Sequence, residues 1–219
     1  MPFSPLHLLL FVFLLGFLLA FVQVGILTLA FDKLGLSPAA GFLLLFASLA
    51  GSAVDVPVAT LRGAPPPEPL PEPVRWGLLR VRRAYAGRTV IAVNVGGCVI
   101  PVLFSLYLLA SRGLPLDRTL LATSIVAAVA YAASRPVPGL GIAMPALLAP
   151  VTAALAALAV GGAHSAPIAY VAGTLGVLVG ADLLHLGDIR RLGTPMASIG
   201  GAGTFDGIFL AGVLAALLA

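Results

Sequence analysis

Residues 165–187 have the sequence SAPIAYVAGTLGVLVGADLLHLG, in which Asp182 is the only acid. A run of about 20 mainly apolar residues is long enough to cross a bilayer as an α-helix. A charged aspartate at the centre of such a helix costs roughly 2.5–3.5 kcal/mol on insertion scales, and intramembrane acids usually face a protein interior or a water-filled cavity. The stretch therefore predicts a membrane helix that carries a functional acid.

The composition of the whole chain favours the same environment. The 219 residues are 60% hydrophobic and 9% charged, and the mean hydropathy is +1.13, which is typical of an integral membrane protein. A single cysteine, Cys98, excludes an internal disulfide and offers no metal-ligand spacing. We therefore expect one integral membrane domain over residues 1–219, with membrane lipids as partners and without a nucleic acid partner, cofactor or metal.

The apolar stretches predict about seven transmembrane helices, which form an all-α polytopic membrane helix bundle. The first stretch lacks the basic start of a signal peptide and is longer than a typical signal core, so we expect it to be retained. A Pro- and Arg-rich loop, residues 62–88, follows the second stretch. The predicted spans are Leu8–Leu29, Pro38–Leu61, Thr89–Ser111, Thr119–Ser134, Pro145–Val160, Ser165–Gly187 and Ala197 to the C-terminus.

The basic residues orient this predicted bundle. If seven spans alternate in direction, one side collects all of the 12 lysines and arginines except Lys33, Arg112 and Arg118. Lysine and arginine are enriched in the cytoplasmic loops of membrane proteins. The pattern therefore predicts a cytoplasmic N-terminus, a cytoplasmic 62–88 loop and a C-terminus on the outer side.

A second acid, Asp206, lies in the last apolar stretch, within residues 198–210, SIGGAGTFDGIFL. In the predicted orientation, Asp182 and Asp206 lie roughly 9 Å and 13 Å from the cytoplasmic ends of their helices. The small residues Gly203 and Gly207 let neighbouring helices approach closely, so the two carboxyl groups are expected to meet. The alternative is that both acids cap broken helices or bond backbone groups near the glycines.

Two close carboxyl groups have a specific chemistry. Like charges a few ångströms apart do not both ionise, so the pair shares one proton. The ionised member can then activate water while the protonated member polarises a peptide carbonyl. The pair Asp182 and Asp206 therefore predicts aspartyl protease chemistry within a membrane.

The segment 201–209, GAGTFDGIF, resembles the Gly-x-Gly-Asp motif of the presenilin and signal peptide peptidase family, with Thr204 and Phe205 inserted before the acid. In that family the catalytic aspartates lie on consecutive antiparallel spans joined on the cytoplasmic side. The family also has a Pro-Ala-Leu element beside its active site, and residues 145–147 have this sequence, although they precede the aspartates. The resemblance implies that Asp182 and Asp206 are catalytic and that the substrate is a membrane-spanning protein or peptide.

Taken end to end, the chain resembles a family of uncharacterised bacterial and archaeal membrane proteins. This second resemblance implies a location in the plasma membrane of a prokaryotic cell, and it implies no activity. The stretches that carry it are residues 93–97, VNVGG, residues 135–142, RPVPGLGI, residues 180–184, GADLL, and residues 198–210.

Other polar residues leave two functions open. Asn94 fits either packing or ligand contact, and Asp55 fits either the same cavity or a solvated membrane surface. The series Asp182-x-x-His185-x-x-Asp188 lies along one ridge of a helix and fits a metal site, a proton relay or simple helix-end polarity. We expect an intramembrane aspartyl protease; the alternative is a small ion- or proton-coupled transporter or channel that uses the same acids. The residues expected to contact substrate are Pro145, Ala146, Leu147, Gly203, Gly207, Asn94 and Asp55.

The predicted orientation can be tested by cysteine labelling in a variant without Cys98. A cysteine placed in the 62–88 loop is expected to react with a membrane-impermeant reagent only after the membrane is opened, because most of the basic residues share its side. A cysteine at Ala219 is expected to react in intact cells. Labelling of the loop cysteine in intact cells would contradict this orientation.

Overall fold

The structure is a computed structural model that describes residues 24–62, 87–137, 141–191, 194–201 and 207–219. Seven α-helices and five short strands account for most of these residues, together with two π-helices and two 3₁₀ turns. The helices are α1 (Val24–Lys33), α2 (Pro38–Gly51), α3 (Ile100–Ser111), α4 (Leu116–Ala133), α5 (Leu148–Gly161), α6 (Ser165–Val177) and α7 (Gly207–Leu218). The strands are β1 (Asp55–Arg62), β2 (Arg88–Asn94), β3 (Arg135–Val137), β4 (Gly141–Ala143) and β5 (Met196–Ile199).

Helix α6 is the centre of the bundle. It packs against α4, α5 and α7, and most of its residues are buried. A helix that is apolar on all sides has to be covered on all sides. The neighbouring helices supply mainly alanine to this contact, so the core is built from small side chains at short helix-to-helix distances.

Glycines on α6 and just beyond it set how closely the helices approach. The carbonyl oxygen of Ala211 lies 3.0 Å from the position that a Cβ atom would take on Gly173, and Val126 Cβ lies 2.6 Å from that position on Gly176. A Cβ atom on Gly180 would collide with the Ala127 carbonyl oxygen. These positions therefore fix α6 against α4 on one side and α7 on the other.

A three-stranded sheet in the order β1-β2-β5 caps one end of the bundle. Strand β1 pairs antiparallel with β2, with a bulge between Pro57 and Ala59. Strand β5 pairs parallel with β2, from Val90 opposite Met196 to Val93 opposite Ile199. Parallel strands need a crossover connection, and here helices α3 to α6 provide it. Both β2 and β5 therefore lead back into the same end of the bundle.

Two π-helices lie at this end. The first, π1 (Val95–Val99), follows β2 directly, and the second, π2 (Leu178–Leu183), continues α6 and contains Asp182. In π1, Gly96 packs so closely on α2 that a Cβ atom would collide with the Ser48 carbonyl oxygen. π-Helical turns are rare and occur frequently at functional sites.

The prediction of seven membrane helices in an all-α fold is wrong for the described residues. Two helical stretches are long and apolar enough to cross a membrane, Leu116–Ala133 and Leu148–Leu183, and a third is present if α1 and α2, bent by 107°, form one broken span. The longer stretch is interrupted at Gly162, whose φ is 55°. The fold is thus mostly helical with two to three candidate membrane spans and small sheets.

The wrongly predicted parts have a physical explanation. Predicted spans Pro38–Leu61 and Thr89–Ser111 each combine a helix with a strand, because residues 54–61 and 89–93 are rich in valine, threonine and isoleucine, which favour extended backbone. Pro57 further disfavours a helix. The predicted span Leu8–Leu29 lies outside the described residues except for its last part, in α1.

The opposite end of the bundle carries Lys33, Arg112 and Arg118. Lys33 Nζ donates to the Leu217 carbonyl oxygen at 2.9 Å, and Arg118 donates to that of Val160 at 3.2 Å. Arg112 donates to the Gly35 carbonyl oxygen. The three basic residues that the sequence assigned to one side therefore share one end of the bundle, away from the three-stranded sheet. The absolute orientation across a membrane stays a prediction.

The close approach at Gly180 generates a stability prediction. Gly180→Ala is expected to lower the free energy of unfolding by about 1–3 kcal/mol, because the added methyl group overpacks α4. Gly187→Ala is the matched control, since no atom lies within 4 Å of its Cβ position, and it is expected to change stability by less than about 0.5 kcal/mol. Thermal unfolding of both purified variants measures the difference, and equal melting temperatures would contradict the close contact.

Candidate functional site

A polar cluster forms where the sheet meets π1. Asp55 starts β1, Asn94 ends β2 directly opposite it, and Ser198 lies on β5. Asp55 Oδ1 accepts hydrogen bonds from Asn94 Nδ2 at 3.1 Å and from Ser198 Oγ at 2.5 Å. One carboxylate oxygen therefore links all three strands of the sheet. We refer to Asp55, Asn94 and Ser198 as the strand cluster.

Asn94 is the most buried member of the strand cluster, at 2% exposure. Its Oδ1 accepts from the Gly97 backbone N–H at 2.8 Å, which caps the start of π1. Its Nδ2 also donates to the Ser52 carbonyl oxygen at 2.8 Å. Because both polar atoms of the side chain bond inside the protein, the geometry gives Asn94 an organising role. Its contact with a substrate stays a prediction.

Gly200 connects the two π-helices. Its φ of 73° lies in the left-handed region, and a Cβ atom there would lie 2.7 Å from Cys98 Cβ in π1. The Gly200 backbone N–H also interacts with the carboxyl group of Asp182 in π2. Glycine adopts this backbone conformation without strain and has no Cβ atom to collide with Cys98. Gly200 therefore fits a turn that lies against both π1 and Asp182.

Asp182 also interacts with a histidine side chain. The imidazole of His185 interacts electrostatically with the Asp182 carboxyl group. His185 is 6% exposed, and its Nδ1 lies 3.1 Å from the Gly180 carbonyl oxygen. The Tyr131 ring covers the imidazole at a centroid distance of 4.8 Å. This contact with a carbonyl favours the Nδ1–H tautomer, which leaves Nε2 as the acceptor atom.

The described residues contain no group of three or more histidine, cysteine, aspartate or glutamate side chains that could hold a metal ion. The series Asp182, His185 and Asp188 is therefore not a metal site of that kind in the structure. Asp188 instead starts a 3₁₀ turn, Asp188–Arg191. Of the three residues, only Asp182 and His185 interact with each other. A proton relay within this series would therefore use these two residues.

The other predicted site residues are distributed differently. Asp206 and Gly203 lie outside the described residues, and Gly207 is the first residue of α7. Residues 145–147 precede α5, where Leu147 is 66% exposed. The hydrogen bonds described for the strand cluster do not extend to residues 145–147. Their role in substrate contact stays a prediction.

Two members of the site were not predicted from the sequence. Ser198 and Gly200 belong to the segment that was singled out around Asp206, but only the pairing of β5 with β2 gives them their partners. The available signal was the sequence Ser-Ile-Gly-Gly. A polar residue and two glycines beside an apolar run indicate a turn that needs special backbone geometry.

The chain belongs to the DUF1614 family, whose members are described as proteins of unknown function, and the match covers residues 49–218. This range includes the strand cluster, both π-helices and Asp182. No match was found among curated proteins or among solved structures. The resemblance to an uncharacterised family is thus confirmed, whereas the resemblance to presenilins receives no support from these comparisons.

The strand cluster generates a coupling prediction. A double-mutant cycle of Asp55→Ala, Ser198→Ala and the double variant measures the coupling free energy between the two side chains. We expect about 1–3 kcal/mol, because the hydrogen bond has a carboxylate acceptor and is partly buried. Ser111 is the control partner, since its hydroxyl donates only to Tyr107 in its own helix. Asp55→Ala and Ser111→Ala are expected to be additive within about 0.5 kcal/mol. Thermal unfolding of the six proteins gives both values, and additivity of the Asp55 and Ser198 changes would contradict the cluster.

Proposed function

We propose that this protein is an intramembrane aspartyl protease that cleaves membrane-spanning substrates with Asp182 and Asp206. One observation carries the proposal, namely the antiparallel packing of α6 on α7. Ser165 Oγ donates to the Ala219 carbonyl oxygen at 3.4 Å, and the Ala211 carbonyl lies against Gly173. In this register each step along α6 toward Asp182 corresponds to one step along α7 toward Gly207.

The register supports a pairing of the two acids. Gly207, the first residue of α7, is level with Val177, which precedes Asp182 by five residues, or about 7.5 Å along a helix axis at 1.5 Å per residue. Asp206 directly precedes Gly207 in the sequence. We therefore propose that the two carboxyl groups come within about 3–6 Å, directly or through one water.

The position of Gly200 also supports the proposal. Its amide contacts the Asp182 carboxyl group, and it precedes Asp206 by only six residues in the sequence. The chain therefore returns to Asp182 shortly before it reaches the second acid. In the proposed reaction, one ionised carboxylate removes a proton from water while the protonated partner donates to the carbonyl of the scissile peptide.

A second candidate function is a small ion- or proton-coupled transporter or channel. The observation that favours it is the presence of two polar groups of side chains at the sheet end of the bundle, namely the strand cluster and Asp182 with His185. Broken helices whose free backbone groups line a polar site are typical of transporters. In this reading the acids bind and release a cation or a proton, and no peptide bond is cut.

The protease proposal is tested with purified protein in liposomes that contain a panel of fluorescently tagged single-span peptides. Asp182→Asn and Asp206→Asn are each expected to abolish cleavage, because an asparagine cannot exchange the proton that both roles require. Asp188→Asn is the matched control, with the same loss of charge outside the pair, and is expected to retain cleavage. The cleavage rate of the unchanged protein is expected to fall on both sides of a pH optimum, as a coupled acid pair requires.

The transporter alternative is tested in the same liposomes loaded with a pH-sensitive dye. Under an imposed proton or sodium gradient, a protease without transport activity is expected to give no flux above empty liposomes. Flux that disappears in Asp206→Asn, together with no cleavage of any peptide, would reject the protease in favour of the transporter.

A further inference from the structure

Two arginines lie opposite each other at the end of the β1–β2 ladder. Arg62 is the last residue of β1, and its cross-strand partner is Arg88, the first residue of β2. Side chains of directly opposed residues project from the same face of a sheet, with Cα atoms about 4.5–5.5 Å apart. Both arginines are exposed. The ladder therefore places the two arginine side chains next to each other on one exposed face of the sheet.

Neither arginine has a side-chain hydrogen bond or an ion pair with another described residue. In contrast, Lys33, Arg112 and Arg118 at the other end of the bundle each donate to a backbone carbonyl. Like charges placed directly opposite each other destabilise a strand pair. The two positive charges therefore repel each other, and a bound anion would reduce this repulsion.

The strand that carries Arg62 changes character along its length. Val56 and Val58 within β1, and Val54 just before it, are about half exposed, at 45%, 58% and 49%. Arg62 follows Val58 by four residues, which is about 13 Å along a strand. Each headgroup layer of a bilayer is about 5–7.5 Å thick, so 13 Å is enough to pass from the edge of the hydrocarbon core to the headgroups. An apolar section followed by a basic tip matches this change of surroundings.

We propose that Arg62 and Arg88 together bind the phosphate of an anionic phospholipid at the membrane surface. The planar guanidinium group presents several N–H donors in a fork that matches two phosphate oxygens, and two adjacent forks surround one phosphate. The proposal concerns lipid recognition by the β1–β2 end and does not depend on the protease activity.

The experiment measures phospholipid binding to the full-length protein in detergent by native mass spectrometry, with dioctanoyl phosphatidylglycerol and dioctanoyl phosphatidylcholine as probes. The unchanged protein is expected to bind the anionic lipid more tightly than the neutral one. The double variant Arg62→Gln with Arg88→Gln is expected to lose about 10- to 30-fold in affinity for phosphatidylglycerol, since each basic residue near an anionic surface contributes about three- to fivefold. Its affinity for phosphatidylcholine is expected to stay unchanged.

Two further variants separate a paired site from general surface charge. Arg135→Gln removes a single exposed arginine from β3, and its affinity for phosphatidylglycerol is expected to change by less than about twofold. The double lysine variant keeps the charge but loses the fork, so it is expected to lie between the unchanged protein and the double glutamine variant.

Three results would overturn the proposal. The first is a double glutamine variant that binds phosphatidylglycerol within twofold of the unchanged protein. The second is an equal loss of affinity in Arg135→Gln. The third is displacement of phosphatidylglycerol by inorganic phosphate at a concentration equal to that of the lipid, because the pair would then be a site for a soluble anion.

Discussion

The close approach of small residues around α6 is the contact on which the rest of this structure depends. Gly173, Gly176 and Gly180 have no Cβ atom, so backbone, alanine and valine atoms of α4 and α7 occupy the space that a side chain would need. Dispersion contacts fall off steeply with distance, and helices at this separation gain many of them. The same contacts fix the register of α7 on α6. They therefore determine which residues of the two helices lie level with each other at the sheet end.

The irregular backbone at the sheet end follows from this packing. Helix α6 changes to a π-helix at Leu178, and β2 enters a π-helix at Val95. Such turns leave backbone and side-chain polar groups that have to be bonded when they are buried. The bonds of Asn94 to Gly97 and Ser52 satisfy part of this requirement. The strand cluster and the Gly200 contact with Asp182 thus belong to one arrangement, in which polar groups are bonded inside an otherwise apolar protein.

Parts of this arrangement could be predicted from the residues. Asp182 was recognised because an acid inside an apolar stretch is costly, and Asn94 because it precedes two glycines. The strand content was missed because hydropathy over a window of about 20 residues does not distinguish a helix from an apolar strand joined to a helix. Residues 89–111 illustrate this, since β2, π1 and α3 together are as apolar as one helix. Ser198 was missed because its partner, Asp55, is separated from it by more than half of the chain.

The sequence by itself determined the apolar character of the protein and the presence of rare acids within apolar stretches. It also indicated the apolar stretches 119–134, 145–160 and 165–187, which overlap the candidate membrane spans of the structure. These properties depend on composition and local order, which a single chain contains in full. Only the tertiary structure decided that Pro57 and its neighbours form a strand, that β5 pairs parallel with β2, and that Asp55 meets Ser198. Pairing of distant strands is chosen by the free energy of the whole assembled fold, because each hydrogen bond in the sheet exists only when both segments are held together by the bundle.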